Sequence, residues 1–462
     1  MSDLLDYTLI RKLQGQVADQ QLADRRHLQA AGYAVRTAAD EQQQAHSIIR
    51  QVVSQHLQDM LGRREELPAD PGFEIRLRSA IFSAIYGAGE LQELLDNELV
   101  ENIDINGCEQ TWVTYAGGIK ELWGPVAATN EDLISIVQNL GSYAGMNARP
   151  FSPNAPTLDV RLQDGSRLAA LMSATQEPIV SIRRNRYPQM FLRPDTARAA
   201  TKPGREVLPD LVSLGTVDEQ VADFLYAAVR SRCNIVVGGA TDAGKTALLR
   251  ALINCIDAME RLITIEIALE LGIDRHPELH CDVVPMEVVL PDADGRGGLD
   301  IAELVRRTRR HNPRRVIVGE VLGPEVVEML SAMAQGNDGS LSTIHARDSE
   351  EVFNRIATYA AQFGSVNFDI AHQLMAGAID FVVFIEKNPM LGMRRTVTQI
   401  IEVSGVMNAR VGRSHIFTPS REDGRAVRNT EVAISRMPKL ARVGYTDGMP
   451  STWNTATQPS GW

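Results

Sequence analysis

No stretch of this chain approaches the roughly 18 consecutive apolar residues that a membrane-spanning helix requires. Cysteine is scarce too. Cys108, Cys233, Cys255 and Cys281 lie far apart with no C-x-x-C, which argues against a disulfide framework and predicts reduced, mostly buried thiols. Positive charge is also short. Against 58 Asp and Glu stand 47 Lys and Arg, a net charge of −11, so a surface gripping nucleic acid along its whole extent is not expected, although local basic patches are allowed. The opening MSDLLDYTLIRKLQ lacks a basic segment followed by an apolar core, so no secretory leader is expected and the expected compartment is the cytosol. What is present is ordinary for a globular protein: 44% hydrophobic and 23% charged residues over 462 positions, long enough for two or three domains.

Gly239-Ala240-Thr241-Asp242-Ala243-Gly244-Lys245-Thr246 fits the phosphate-binding loop G-x-x-x-x-G-K-[ST] at every fixed position. The β-branched run Asn234-Ile235-Val236-Val237 before it suits a buried strand, and Ala247 to Ile253 after it reads as a helix. Strand, loop and helix in that order are the context the motif needs. Glycines let backbone N–H groups curl round a phosphate, and the helix start adds partial positive charge. Lys245 is then expected to reach the β- and γ-phosphates of ATP, and the Thr246 hydroxyl to bind Mg²⁺. A chance match occurs in about one or two chains in a hundred of this length, and the strand and helix lower that further.

Along the chain, residues 1–97 read as a helical arm or bundle. Ile48, Val52, Val53, His56, Leu57 and Met60 fall at helical spacing, consistent with a coiled-coil hairpin or, as the irregular spacing favours, a solvated helical arm. Residues 98–187 alternate like short strands around a helix near 131–143, forming a small α+β domain. Four prolines between 188 and 210 suggest a linker. From 211 to 440 strands alternate with helices, implying a mainly parallel sheet with helical crossovers and closing helices, and 441–462 reads as a disordered tail.

A phosphate-binding loop needs an acidic partner. Arg315-Val316-Ile317-Val318-Gly319-Glu320 is an apolar strand that delivers a carboxylate at its C-terminal end, where the active groups of open α/β sheets gather, although a core strand can also end on a surface Glu. Glu266 and Glu270 follow another strand, and a solvated loop explains them equally well. His345, after the glycine-flanked loop Gly336 to Ser340, could sense the γ-phosphate as a neutral imidazole or serve as a structural hydrogen-bonder. His276, His280 and Cys281 have metal-like spacing, but Pro277 interrupts them and no second ligand pair stands out. The arginines 306, 307, 309, 310, 314 and 315 could include an arginine finger or form a solvated helix face.

Taken as an ordered set, these blocks resemble the secretion ATPase family of type II and type IV machines, nearest to its CpaF-like branch that powers tight-adherence (Flp-type) pili. The resemblance covers about residues 85–405. It is carried by Ile103 to Gly107, Leu158 to Leu168 and Ser181 to Arg184, which look like the family's N-terminal nucleotide-clamping domain, and by Leu262 to Leu271, its acidic box. Val316 to Pro324 is similar to its Walker B, in which Glu follows Gly, and Ala334 to Ala346 to its histidine box. The resemblance implies a RecA-like P-loop domain behind a small PAS-like α+β domain, and a homo-hexameric ring. That ring would hydrolyse ATP with Mg²⁺, at the cytoplasmic face of the inner membrane, against a polytopic platform protein. It also implies Glu320 as principal acid and Glu266 as second, His345 as a catalytic histidine that senses or polarises the γ-phosphate, Thr246 and Glu320 as the Mg²⁺ ligands, and Arg161, Arg167, Arg183 and Arg310 as phosphate-contacting arginines.

Three positions depart from the family pattern: Ile267 stands where Asp commonly follows the acidic-box Glu, Leu322 where Arg often follows Walker B, and Asn337 at the first His of the histidine box. They leave open a nucleotide-binding scaffold that hydrolyses little. A DNA-transfer motor is a third reading, disfavoured by the −11 charge and the absence of a basic, aromatic strand-binding groove. Deleting residues 1–70 is expected to spare nucleotide binding.

Overall fold

The computed structural model describes residues 7–30, 38–63, 72–86, 91–116, 118–142, 150–162, 164–187, 189–194, 209–289, 291, 296–334, 336–363 and 366–447. The chain divides into two compact units, Met1–Arg186 and Tyr187–Trp462. Among the described residues no helix is long and apolar enough to cross a membrane.

In the first unit, helices α1 (Tyr7–Ala30), α2 (Ala38–Gly62) and α3 (Phe73–Tyr86) share a core of Leu13, Val17, Ile49, Val52, Val53, Leu77 and Ile81. They form a bundle rather than a solvated arm. The spacing on α2 is irregular because its stripe serves two partner helices, so neither a single coiled-coil seam nor an empty face describes it. After α4 (Leu91–Asp96), strands β1 (Val100–Asn106), β2 (Gln110–Tyr115), β3 (Lys120–Gly124), β4 (Thr157–Arg161), β5 (Arg167–Leu171) and β6 (Ile179–Arg183) build an antiparallel sheet in the order β3-β2-β1-β6-β5-β4. Alternation decides its faces. Leu158, Val160, Leu168, Ala170, Val180 and Ile182 point into a core closed by Leu133 and Val137 of α5 (Asn130–Ser142), leaving the intervening Asp159, Ala169 and Ser181 on the other face.

The second unit is α/β. Following α6 (Glu219–Arg230), strands β7 (Ile235–Gly239), β8 (Leu262–Glu266), β9 (Val283–Glu287), β10 (Arg315–Val321), β11 (Leu341–His345), β12 (Phe381–Asn388), β13 (Arg394–Met407), β14 (Arg410–Pro419) and β15 (Ala426–Arg428) order as β15-β14-β13-β12-β7-β11-β10-β8-β9. From β12 to β9 the neighbours are parallel, and β13 to β15 extend the sheet antiparallel. Two cores sandwich it. Ile235, Val237, Leu262, Ile317, Phe381 and Val383 face one side, while Val236, Ile263, Val316, Val318, Val382 and Phe384 face the other. Burial on both faces is why these strands read as unbroken apolar runs.

Three expectations need correction. The closing helices expected before 440 are present as Ser349–Phe363, Phe368–Ala378 and the short Met437–Ala441, but strands β12 to β15 stand between the last two, since β-branched runs such as Thr396 to Val403 favour the sheet. The expected linker begins inside the core, because Met190 and Leu192 are buried with Leu211 and Val217, while 195–208 lie outside the described residues. Of the expected tail, Tyr445 packs into the same core and Arg428 Nη2 pairs with Asp447 at 2.7 Å, whereas 448–462 lie outside the described residues.

Candidate functional site

β7 ends at Gly239, whose Cα partner across the parallel ladder is His345 at the end of β11. A Cβ at Gly239 would stand 2.3 Å from the Ile385 carbonyl oxygen, so only glycine lets the phosphate-binding loop leave the sheet here. The loop runs into helix α7 (Lys245–Ile253), giving the strand–loop–helix arrangement expected. Lys245 is 7% exposed, and its Nζ donates to the Ala240 carbonyl at 3.0 Å and lies 3.0 Å from His345 Nδ1.

An ammonium only donates, so His345 Nδ1 is the acceptor and the ring carries its proton on Nε2. That Nε2 lies 2.7 Å from Glu320 Oε1. Lys245, a neutral His345 and Glu320 therefore form one line across three neighbouring strands or their ends. The register between β10 and β11 shifts after Val318, which turns Glu320 toward this line. Gly319 permits the approach: a Cβ there would meet Glu266 Cγ at 3.0 Å, and Thr343 Oγ1 donates to the Gly319 carbonyl at 2.7 Å.

Glu266 is 6% exposed, and its Oε2 accepts the backbone N–H groups of Glu270 at 2.7 Å and Leu271 at 2.8 Å. Those bonds shape the loop after β8 while keeping a carboxylate beside Gly319. The departures Ile267 and Leu322 are exposed apolar side chains, each one or two positions beyond a site carboxylate, and Asn337 lends its carbonyl to Ser340 Oγ at 2.7 Å. Arg250, which the sequence motifs do not single out, fastens the same loop. It is 5% exposed and donates to the carbonyls of Leu271 at 3.1 Å, Glu270 at 2.6 Å and Tyr187 at 2.9 Å. Its signal is a single cation inside the apolar run Ala247 to Ile253, where a charge must be buried with partners.

Arg161, Arg167 and Arg183 belong to the first unit, where they are consecutive cross-strand partners: Arg161 opposite Arg167, and Arg167 opposite Arg183. Arg310 is exposed on the turn after α8 (Ile301–Thr308). Half of the arginine run makes a solvated, paired face. Arg306 and Arg307 each reach Glu303 at 2.9 Å, and Arg309 reaches Glu328 at 3.4 Å. Among the described residues no group of three or more His, Cys, Asp or Glu is arranged to hold a metal. His276 instead meets Gln189 at 2.7 Å, and His280 Nε2 meets Asn254 at 3.2 Å. Of the thiols expected to be mostly buried, Cys233 and Cys255 are, while Cys281 is exposed. Burial pushes the Cys233 thiol up to about 12, which keeps it inert at neutral pH.

The donor set fits a magnesium nucleotide. The cradle left by Gly239, the start of α7 and the Lys245 ammonium suit phosphates, and Thr246 and Glu320 are the residues that would hold the ion together with phosphate oxygens.

Residues 88–383 match the family model described as Type II/IV secretion system protein. A Mycobacterium tuberculosis protein named for conjugal transfer is 29% identical over 318 residues, 67% of this chain and 82% of its own length. The type IV secretion system protein PtlH of Bordetella pertussis is 30% identical over 266 residues, 54% of this chain and 76% of its own. Protein VirB11 of Agrobacterium fabrum is 28% identical over 306 residues, 63% of this chain and 86% of its own.

Proposed function

The chain belongs to the type II/IV secretion system protein family and is an ATPase, and we propose that it is the homo-hexameric motor of a secretion or tight-adherence pilus machine, working against an inner-membrane platform protein at the cytoplasmic face. The observation that carries this reading is the line from Lys245 through His345 to Glu320, with contacts of 3.0 Å and 2.7 Å.

Each residue has a separate task. Lys245 brings positive charge to the phosphates at the start of α7. Glu320, on the bulged end of β10, is the carboxylate that takes a proton from the attacking water. His345, neutral and donating from Nε2, fixes the Glu320 carboxylate and links it to Lys245, so that a change at the phosphates is felt at the acid. Glu266, beside Gly319, is the second acid of the site. Magnesium, when bound with nucleotide, supplies charge neutralisation at the phosphate oxygens. Arg161, Arg167 and Arg183, side by side on three neighbouring strands, support a clamp role for the first unit, because a row of cations attracts phosphate charge. Arg310, exposed in the second unit, is proposed from the family resemblance as a further phosphate-contacting arginine.

Steady-state ATP turnover of the purified chain with Mg²⁺, across concentrations spanning ring assembly, tests the proposal. Turnover that rises with assembly and disappears in Lys245→Ala and Glu320→Gln supports it. Tight ATP binding without turnover, equal to Glu320→Gln, overturns it in favour of a scaffold, with Ile267→Asp as the first reversion. Salt-dependent DNA binding would instead favour a DNA-transfer motor.

A further inference from the structure

Asp242 is the only carboxylate in the phosphate-binding loop 239–246, and its backbone is left-handed, with φ 59°. A carboxylate at this point repels the phosphate oxygens that the loop's N–H groups are shaped to accept. Two cations meet it from the β12–β13 hairpin. Lys387 Nζ lies 2.5 Å from Asp242 Oδ2, and Arg395 Nη2 lies 2.7 Å from Oδ1. Arg395 Nε also donates to the Asp242 carbonyl at 3.1 Å, and its Cδ lies 3.1 Å from where a Cβ on Gly244 would stand. Lys387 and Arg395 are themselves directly opposed across the hairpin. Like charges so placed repel, and Asp242 is what makes the pair favourable. Burial works against the Asp242 charge, but the bonds to Lys387 and Arg395 outweigh it and hold the carboxyl below its usual range, so it is ionised at neutral pH.

We propose that Lys387 and Arg395 are positioning residues for nucleotide binding: they neutralise Asp242 and hold the phosphate-binding loop in its curled form, so that affinity for the nucleotide's phosphates is set partly from the β12–β13 hairpin. This rests on the reading of the loop as the nucleotide site. Lys387 is the sharper probe, since it meets the loop at the carboxylate, while Arg395 also holds backbone.

The test is the Kd for ATP with Mg²⁺, measured on the full chain by displacement of a fluorescent nucleotide. Lys387→Met is expected to weaken binding roughly fivefold, with KM rising and kcat little changed. Lys387→Arg should restore affinity. In an Asp242→Asn background, Lys387→Met should cost nothing further, because no charge remains to neutralise. An unchanged Kd in Lys387→Met, with melting like that of the parent chain, overturns the inference. So does an equal loss in both backgrounds, which would make Lys387 a direct phosphate ligand. Failure of the unsubstituted chain to bind ATP overturns the nucleotide-site reading itself, and this inference with it.

Discussion

His345 is hydrogen-bonded on both ring nitrogens, to a cation on one side and a carboxylate on the other. That leaves one tautomer and one orientation, and it ties the acid of the site to the lysine. If Glu320 supplies the acid–base step, Glu320→Gln lowers kcat about 100-fold or more while the ATP Kd stays within about twofold of the parent. Single-turnover and binding measurements check this, and loss of binding in step with turnover would contradict it. His345→Ala should also lower kcat. The double variant should fall no further than Glu320→Gln alone, because residues acting as a unit are non-additive. Glu320 and His345 are legible in the sequence because Glu320 follows Gly319 at the end of an apolar run and His345 closes a short run that leaves a glycine-flanked loop. Their mutual contact is not, since it depends on β7, β11 and β10 lying side by side, an order that follows neither the chain nor any local pattern.

Strand β10 is anchored at its start as firmly as it is shaped at its end. Arg315 is 1% exposed, its Nε and Nη2 each reach Glu260 at 2.9 Å, and Nη1 reaches the Val229 carbonyl at 2.9 Å. Arg232 adds a bond to Glu260 at 2.7 Å. Removing Arg315 takes away two of the charge-assisted bonds to Glu260 and leaves Arg232 as its partner, so Arg315→Ala is expected to destabilise the second unit by about 1.5–3 kcal/mol, read by denaturant unfolding. Burial alone would raise the Glu260 pKa, but Arg315 and Arg232 outweigh it and hold the carboxyl below its ordinary 4.5. With the folded value depressed, the stabilisation is complete above 4.5 and is lost as pH falls through the folded value. Glu260→Gln should flatten that part of the melting-temperature profile, and an unchanged acid limb would contradict the assignment. In sequence, Arg315 resembles the end of a solvated run; its burial comes from packing against elements far along the chain.

At the scale of the molecule, the helical bundle has a hydrophobic core of its own. Deleting residues 1–70 would strip α1 and α2 from Leu77 and Ile81 and leave an apolar face on α3. Deletion of 1–86 removes the bundle whole and is expected to leave ATP binding intact, with loss of binding as the contrary outcome. For a ring-forming ATPase, specific activity should also rise with protein concentration over the range in which sedimentation shows assembly, and a flat profile would argue for an active monomer.

Chemistry that depends on neighbours in the chain is readable from the amino-acid sequence by itself. The phosphate-binding loop, the Glu320 strand and the glycine-flanked approach to His345 are each a strand, a turn and a reactive group in sequence, because curling round a phosphate or ending a strand on a carboxylate needs only local backbone geometry. Tertiary structure alone decides what surrounds them. Arg395 meets Asp242 from 153 positions away, Arg250 finds carbonyls on the loop after β8, and three irregular helical stripes close on one another. Buried charges and shared cores are satisfied by whatever packing brings within a few ångströms, and no local pattern of residues encodes which distant partner that will be.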